Sequence, residues 1–470
     1  MSALAAVSEA GGVSFEHGAY FVASFLFLLG LRGLTHPDTA RRGTMLAALG
    51  MAVAVIGAAW PRDNFNYGYI AAGLVIGTII GIPMGLKIPM TKMPERIALS
   101  HSFGGLAVAL VGIVEFKETL DPTRFHMGAT GFEVLLGALT FTGSIMAFGK
   151  LQGILPGKPS TFPFQNFITV GALVVAIAAV VYMIFVPTAG VVFYGMFGLA
   201  LLLGVLLVLP IGGADMPVVI CLLNSYAGLA AAASGFVFNN PVLIICGALD
   251  GGSGFILAML MSKAMNRSFA NVLFGAFGSD TAAAAAGPAK SGAAVNEATV
   301  EEAAEVLKSS GSVIVVPGYG MAVAQAQHAV RDLAAILEKN GARVRYAIHP
   351  VAGRMPGHMN VLLAEANIPY EQLFDLDQIN DDFSTTDAVL VVGANDVVNP
   401  AAKTSPGSPI FGMPVFNCEQ ARAVFVLKRS MNPGFAGIEN ELFVHPKTMM
   451  VFGDAKQTLT KMAAAMKEGH

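Results

Sequence analysis

Residues 312–328 read Ser312-Val-Ile-Val-Val-Pro-Gly-Tyr-Gly-Met-Ala-Val-Ala-Gln-Ala-Gln-His328, an apolar run that passes through a glycine turn into a helical pattern. Val313–Val316 is β-branched and suits a buried parallel strand, whereas Met321–Leu337 has helical periodicity. Gly318 and Gly320 permit close backbone approach, and the start of a helix offers free N–H groups to an anion. The stretch therefore predicts a site for nucleotide phosphates.

Strand-like segments alternate with helical or loop segments after this stretch. They are Arg343–Ile348, Leu373–Leu376, Ala388–Val392, Val415–Asn417, Ala423–Leu427 and Met449–Phe452. This alternation predicts an α/β doubly wound, Rossmann-like domain with a parallel sheet, whose ligands bind at the carboxyl ends of the strands. Because Val323 stands where the dinucleotide fingerprint has Gly or Ala, a plain tight turn at 318–320 is an equal alternative.

The rest of the chain has the composition of a membrane protein. Of its 470 residues, 54% are hydrophobic and only 13% are charged, with a net charge of −3. Runs of about 20 apolar residues predict about nine spans, at 17–34, 43–60, 68–86, 97–115, 130–149, 166–186, 190–210, 216–237 and 241–262. We expect a polytopic α-helical membrane domain (1–277), a flexible linker (278–300) and the nucleotide-binding domain (301–470). No basic stripe points to nucleic acid.

The short loops give an orientation. One alternate set of connections, with the region after the last span, holds ten Lys and Arg residues: Arg32, Arg41, Arg42, Lys87, Lys92, Arg96, Lys150, Lys158, Lys263 and Arg267. The other set holds three: Arg62, Lys117 and Arg124. Cytoplasmic loops carry the positive excess. The amino terminus is therefore expected outside and the α/β domain in the cytoplasm.

Polar residues inside predicted spans are costly and usually face the bundle interior. His101 can carry a proton near neutral pH, although a neutral histidine hydrogen-bonded between helices is an equal alternative. Asn224 can hold a water or pair with an imidazole, or make a structural interhelical bond. Asp215 reads as the N-cap of the eighth span. Asp250 lies beside glycines in the last span and indicates either a hinge or a polar vestibule.

Glycines recur every fourth residue in the third span, at Gly73, Gly77, Gly81 and Gly85. They form a bare stripe along one helix face. The stripe favours close helix packing over a direct role in transport.

Charged residues follow several predicted strands. Arg354 is a candidate phosphate partner, and Lys428 with Arg429 suits a phosphomonoester. Taken singly, each is better explained as a solvated cation, but four such loops on one rim favour a site. Asp454 is most simply an N-cap. An acid usually ends the second strand of an NAD site, whereas here Ile348–Pro350 carries none. NADP(H) is therefore favoured over NAD(H).

Five strings of the α/β domain resemble the β subunit of the proton-translocating NAD(P) transhydrogenases. They are Pro317–Gln327, His349–Ala366, Ile379–Phe383, Gly393–Asp396 and Lys428–Met431. The resemblance covers essentially the whole chain. It implies that this chain binds NADP(H) and that a separate α subunit binds NAD(H). Hydride transfer between the two nicotinamides would be coupled to proton translocation and chiefly make NADPH from NADH.

The resemblance also implies site residues and surroundings. The proton path would include His101, Asn224 and Asp215, and Lys428 and Arg429 would hold the 2′-phosphate. We expect a dimer of αβ units in the lipid bilayer of a bacterial cytoplasmic (inner) membrane. The residues that match the NADP(H) site are Gly318, Tyr319, Gly320, Val351, Ala352, Gly353, Arg354, Met355, Pro356, Gly393, Ala394, Asn395, Asp396, Val397, Gly412, Met413, Lys428, Arg429, Ser430, Met431, Asn432, Pro433, Gly434, Phe435, Asp454 and Ala455.

The chain departs from that family in the nucleotide site and in the last span. Phe435 stands where many members have tyrosine, Gly251 and Gly252 replace a glycine-serine pair found in some members, and Asp250 replaces an apolar residue. An alternative function is a membrane transporter regulated by an NADP(H)-sensing domain, since one dinucleotide site fits both. A quinone reductase is disfavoured because no flavin, haem or iron–sulfur ligand set is visible.

Overall fold

The computed structural model describes residues 15–60, 66–89, 92–157, 159–266, 295–355, 357–408, 410–434 and 436–468. The predictions for Arg62, Lys158, Arg267, Pro356, Phe435 and the linker at 278–294 lie outside these residues. The described amino-terminal part contains nine long helices: α1 (Phe15–Gly33), α2 (Pro37–Ala58), α3 (Tyr67–Leu86), α4 (Met93–Glu118), α5 (Arg124–Leu151), α6 (Gln165–Phe185), α7 (Gly190–Val208), α8 (Met216–Val237) and α9 (Pro241–Ala264).

These helices confirm the predicted polytopic membrane domain. Eight of the nine, α2 to α9, are long and apolar enough to cross a bilayer. The remaining helix, α1, has 19 residues and carries Glu16 in its first turn and Arg32 in its last. Charges at both ends of so short a helix lower its mean hydropathy, and α1 is not among the eight helices apolar enough to cross.

Small residues set how closely the helices pack. A Cβ on Gly228 of α8 would lie 2.9 Å from the Gly247 carbonyl of α9, and one on Gly251 would lie 3.0 Å from Leu229. Gly251 is therefore a packing residue, whereas a Cβ on Gly252 would meet nothing within 4 Å. The α3 stripe of glycines likewise meets no neighbour within the described chain. No contact of the described chain therefore tests the packing role predicted for that stripe.

The carboxy-terminal part is the predicted α/β domain. Its six strands are all parallel in the order β3-β2-β1-β4-β5-β6. The order reverses at β1, where the chain crosses to β2 on one side and to β4 on the other. This is the switch point at which doubly wound sheets bind ligands. The strands are β1 (Ser312–Pro317), β2 (Arg343–Ile348), β3 (Leu373–Asp375), β4 (Ala388–Val392), β5 (Ala423–Lys428) and β6 (Thr448–Phe452).

Helices cover the sheet and enclose its apolar strands. One face packs against Leu307, Leu333, Leu362 and Leu459, and the other packs against an aromatic group that includes Phe383, Phe416 and Phe443. The helices of the domain are α10 (Val300–Lys308), α11 (Tyr319–Val323), α12 (Gln327–Lys339), α13 (His358–Glu365), α14 (Leu376–Ile379), α15 (Ala401–Thr404) and α16 (Ala455–Glu468).

Two predicted elements of this domain are wrong. The helix expected at Met321–Leu337 is two helices, α11 and α12, because Gln325 between them has a left-handed backbone with φ +49°. The strand expected at Val415–Asn417 is not a strand. Its backbone bonds to loops, with the Asn417 amide donating to Asn380 Oδ1 at 2.8 Å, since β5 already occupies the edge of β4.

Candidate functional site

A cavity of about 920 Å³ lies between the carboxyl ends of the strands and the loops that connect the membrane helices. This volume is typical of sites for cofactor-sized ligands. The α/β domain contributes most of the wall. The membrane domain contributes Lys150, Leu151, Gly157, Pro159, Gly212, Gly213, Asp215 and Met265.

Glycines at the ends of β1 and β4 form one side of the cavity. The Gly320 amide donates to the Gly393 carbonyl at 2.9 Å, and the Gly318 amide donates to the Val392 carbonyl at 2.9 Å. A Cβ on Gly320 would lie 2.7 Å from Gly393 Cα, and Gly393 itself has φ +63°. Only glycine therefore fits at this contact, which brings the loops after β1 and β4 together at the edge of the cavity.

Arg354, in the loop after β2, reaches the membrane domain. Its Nη1 donates to the Leu151 carbonyl at 2.8 Å and lies 3.5 Å from Glu95 Oε1 at the start of α4. Its guanidinium also lies 4.4 Å from the ring centroid of Tyr319. Arg354 thus links the two domains at the cavity rim.

Lys428 and Arg429, at the end of β5, provide positive charge on the other side. The Lys428 ammonium donates to the Asn432 carbonyl and lies 4.8 Å from the Phe443 ring centroid. Burial lowers the pKa of Lys428, against the opposing charge of Asp396. Arg429 Nη2 donates to Asp454 Oδ2 at 2.9 Å, and this hydrogen bond lowers the pKa of Asp454. Asp454 therefore holds Arg429 in addition to capping α16, where its Oδ1 accepts from the Gln457 amide at 3.3 Å.

The cavity brings most of the predicted site residues together. The lining residues among them are Gly318, Tyr319, Gly320, Val351, Ala352, Gly353, Arg354, Gly393, Ala394, Asn395, Asp396, Val397, Met413, Lys428, Arg429, Ser430, Asn432, Pro433, Gly434 and Ala455. Four described residues of the predicted set lie outside the lining: Met355, Gly412, Met431 and Asp454. Gly412 faces Asn266 after α9, whose Nδ2 donates to the Phe411 carbonyl at 3.1 Å.

Sequence reasoning missed the part of the wall that comes from the membrane domain. Lys150 is buried and donates from Nζ to the carbonyls of Val208, Leu209 and Ile211 at 3.1, 2.5 and 2.7 Å. It thereby satisfies carbonyls at the end of α7. Its place in a lysine-containing loop indicated orientation only, so no sequence signal marked it as a wall residue.

Two buried histidines follow β2, where an NAD site would have an acid. His349 Nε2 lies 2.7 Å from the Pro414 carbonyl, and His358 Nδ1 accepts from the Arg354 amide at 3.1 Å. Burial lowers the pKa of each to about 4, with the nearby Arg354 charge contributing for His358. Both rings are therefore neutral at physiological pH and position the loop that carries Arg354.

Inside the membrane domain, His101 of α4, Asn224 of α8 and Asp250 of α9 meet. Asn224 Nδ2 donates to Asp250 Oδ1 at 2.9 Å, and both side chains interact with the His101 imidazole. From the sequence, Asp250 indicated either a hinge or a polar vestibule. In the structure it is part of a polar cluster. Asp215 is buried and lines the cavity. It occupies the N-cap position of α8, as predicted, although its side chain makes no capping hydrogen bond to the α8 backbone.

Comparison with known proteins identifies the family. Residues 16–465 match the family model described as NAD(P) transhydrogenase beta subunit. The chain is 48% identical over 465 residues to the NAD(P) transhydrogenase subunit beta of Rhodospirillum rubrum, covering 96% of this chain and 99% of the relative. A second Rhodospirillum rubrum sequence of that name gives the same values. The chain therefore belongs to the NAD(P) transhydrogenase beta subunit family.

Proposed function

We propose that this chain binds NADP(H) in the cavity between its two domains and takes part in hydride exchange with NAD(H) held by an α subunit. Proton movement through the membrane domain would be coupled to that exchange, chiefly in the direction that makes NADPH. The protein would lie in a bacterial cytoplasmic membrane as a dimer of αβ units. Its amino terminus would be periplasmic and its α/β domain cytoplasmic.

The residues of the cavity fit such a nucleotide. Gly318, Gly320 and Gly393 line the cavity without side chains, which would let a pyrophosphate approach the backbone of these loops closely. Lys428 and Arg429 would hold the 2′-phosphate by charge-assisted hydrogen bonds. The end of β2 carries His349 in place of an acid, which removes the usual partner of an unphosphorylated ribose.

The proposed coupling between the cavity and the proton path rests on helix α8. Asp215 precedes the helix and lines the cavity, and Asn224 on the same helix bonds to Asp250 beside His101. Nine residues of helix correspond to roughly 14 Å. A displacement of α8 at the cavity therefore moves Asn224 relative to His101 and Asp250.

Bound NADP(H) supplies the carbon that accepts or gives the hydride in this scheme. The chain orients the nucleotide through its glycine contact and cations, and Arg354 ties the nucleotide loop to Leu151 and Glu95. His101 holds or releases a proton as Asn224 and Asp250 shift. By linkage, if the protonation of His101 changes nucleotide affinity, nucleotide binding changes the proton affinity of His101 to the same extent.

The test uses the full chain with its α partner in sealed vesicles, supplied with NADH and NADP⁺. An imposed inward proton gradient should accelerate NADPH formation, and His101→Gln should remove that acceleration. Full gradient-driven NADPH formation by His101→Gln would contradict the coupling. Solute flux that depends on NADP(H) without hydride exchange would support the regulated transporter instead.

A further inference from the structure

A second buried acid lies in the membrane domain, away from His101. Glu133 of α5 has no exposed surface, and neither of its carboxyl oxygens has a hydrogen-bond partner among the described residues. Ser234 of α8 faces it but donates its own hydroxyl to the Ala230 carbonyl at 3.3 Å. An unpaired ionised carboxylate is very costly in such surroundings, whereas a protonated carboxyl is tolerated.

Glu133 belongs to a stripe of polar side chains along one face of α5. Its members follow each other at intervals of three or four residues, interrupted once by the small residue Gly137. Residues at these intervals lie above one another on a helix. The polar stripe, as we call it, consists of His126, Thr130, Glu133, Thr140 and Ser144.

Contacts between α4 and α5 show which residue of α4 lies at the same height along the helix axis as each member of the stripe. A Cβ on Gly112 would lie 3.3 Å from Glu133 Cδ, and one on Gly105 would lie 3.1 Å from Thr140 Cβ. The helices are antiparallel, so this register puts Ser144 level with His101. Glu133 is eleven residues from the His101 level, roughly 16 Å along the helix axis.

The far end of the stripe has its own titratable pair. His126 Nε2 lies 3.0 Å from Glu115 Oε1, which also accepts from Thr119 Oγ1 at 2.8 Å. Both side chains of the ion pair are about one-fifth exposed. Glu115 is close enough to Glu133 for their charges to interact. The pair thus lies between the helix ends and the buried acid.

The near end of the stripe has hydroxyls without partners. Thr140 Oγ1 and Ser144 Oγ are buried and make no hydrogen bond among the described residues, and neither does His101 Nδ1. Buried polar groups are nearly always satisfied, by protein or by internal water. Glu133, Thr140, Ser144 and His101 therefore form a run of groups suited to hydrogen-bonding one another through water.

We propose that Glu133 is a proton-carrying residue between the Glu115–His126 pair and His101. This inference rests on the proposed function and extends its proton path beyond His101. The O–H bond of the protonated Glu133 carboxyl breaks when its proton passes to water held by Thr140 and Ser144. A proton released by the pair then forms that bond again, so the protonated acid is regenerated and no other reactant is consumed.

The test compares Glu133→Gln with Glu118→Gln in full-length αβ protein in vesicles. Glu118 is the last residue of α4, is exposed and lies off the polar stripe, so its substitution controls for loss of an acid at this end of the bundle. Glu133→Gln should lower steady-state, proton-coupled turnover by at least about 100-fold, the usual contribution of a proton-transferring group. Single-turnover hydride transfer to NADP⁺ already bound should be unchanged. Turnover and proton uptake near the unsubstituted level would overturn the inference.

Glu133→Asp keeps an acid at this position and guards against a purely structural loss. Infrared difference spectra between the NADP⁺ and NADPH states should contain a carboxyl band that shifts in D₂O. This band should move in Glu133→Asp and vanish in Glu133→Gln; a band unaffected by both changes would overturn the inference. If the unsubstituted protein itself moves no protons during turnover, the proposed function fails, which is a distinguishable result.

Discussion

Asn224 Nδ2 lies 2.9 Å from Asp250 Oδ1, and this hydrogen bond joins the two helices that meet beside His101. Asp250 is a carboxylate at a position where an apolar residue is expected from the family resemblance. Its partner Asn224 was expected on the proton path from the same resemblance. Through its hydrogen bond to Asn224, Asp250 therefore belongs to the polar cluster around His101 in this chain.

We first predict that Asn224 and Asp250 act as a unit. Asn224→Ala and Asp250→Ala should each slow proton-coupled turnover, and the double variant should be less impaired than the sum of the two effects. The expected coupling energy is about 0.5–3 kcal/mol, as for residues that share a hydrogen bond. Turnover in vesicles measures it.

The matched control pairs Asn224→Ala with Asp121→Ala, in the exposed loop between α4 and α5. Those two effects should add to within about 0.5 kcal/mol. Equal additivity in both pairs would mean that the Asn224–Asp250 bond has no part in turnover.

A second prediction concerns the glycine contact. Gly320→Ala should lower the free energy of unfolding by about 1–3 kcal/mol, because its Cβ would lie 2.7 Å from Gly393 Cα and the backbones would have to move apart. NADP⁺ affinity should fall with it, since the same backbone faces the ligand. Gly311→Ala is the control, because its Cβ would meet only Asp387 Oδ2 at an ordinary 3.6 Å. Titration calorimetry and thermal unfolding of both variants check this, and equal behaviour would count against the contact.

The sheet was largely predictable because its strands are short β-branched runs bounded by turn residues. Arg343–Ile348 and Ala388–Val392 have the predicted limits. The limits of the helix after β1 could not be predicted, because the helix breaks at Gln325 and glutamine gives no local signal for a positive φ. Val415–Asn417 has strand-like composition, but side-chain hydrogen bonds satisfy its backbone outside the sheet.

The rim of the cavity was predictable for a topological reason, whereas its opposite wall was not. Carboxyl ends of parallel strands share an edge, so the loops after β1, β4 and β5 had to meet. The direction of Arg354 and the burial of Lys150 depend on how the two domains pack, which no local pattern encodes. Glu133 was detectable in principle, as an acid within an apolar span whose polar neighbours recur every three or four residues.

A third prediction concerns nucleotide selectivity and pH. Burial lowers the pKa of Lys428, so this side chain loses its charge at a lower pH than an exposed lysine, which titrates near about 10.4. The preference for NADP⁺ over NAD⁺ should therefore decline as pH rises from 7 towards 10. Lys428→Arg should retain its preference across that range, because arginine stays charged.

Lys428→Gln provides the baseline for this experiment. It should weaken NADP⁺ binding by about tenfold to a hundredfold at every pH, as expected for a lost charged hydrogen bond, with little change in NAD⁺ affinity. Equilibrium titrations of the full-length protein give all three profiles. A charge effect at Lys428 is ruled out if the unsubstituted protein keeps a constant preference for NADP⁺ over NAD⁺ across this pH range, as Lys428→Arg should.

The last prediction concerns acid stability of the loop after β2. Burial lowers the pKa of His349 from 6.5 to about 4, so between these values the unfolded chain binds a proton that the folded chain does not. Stability is therefore complete above pH 6.5 and is lost as pH falls towards 4, by up to about 3 kcal/mol for this residue. His349→Gln should flatten that dependence, whereas His328→Gln, which removes an exposed ring on α12, should leave it unchanged. Hydrogen exchange of the β2 amides in the full-length protein measures the opening free energy. The prediction is wrong if His349→Gln retains the pH slope of the unsubstituted protein, and His358→Gln then tests whether the second buried ring carries the effect.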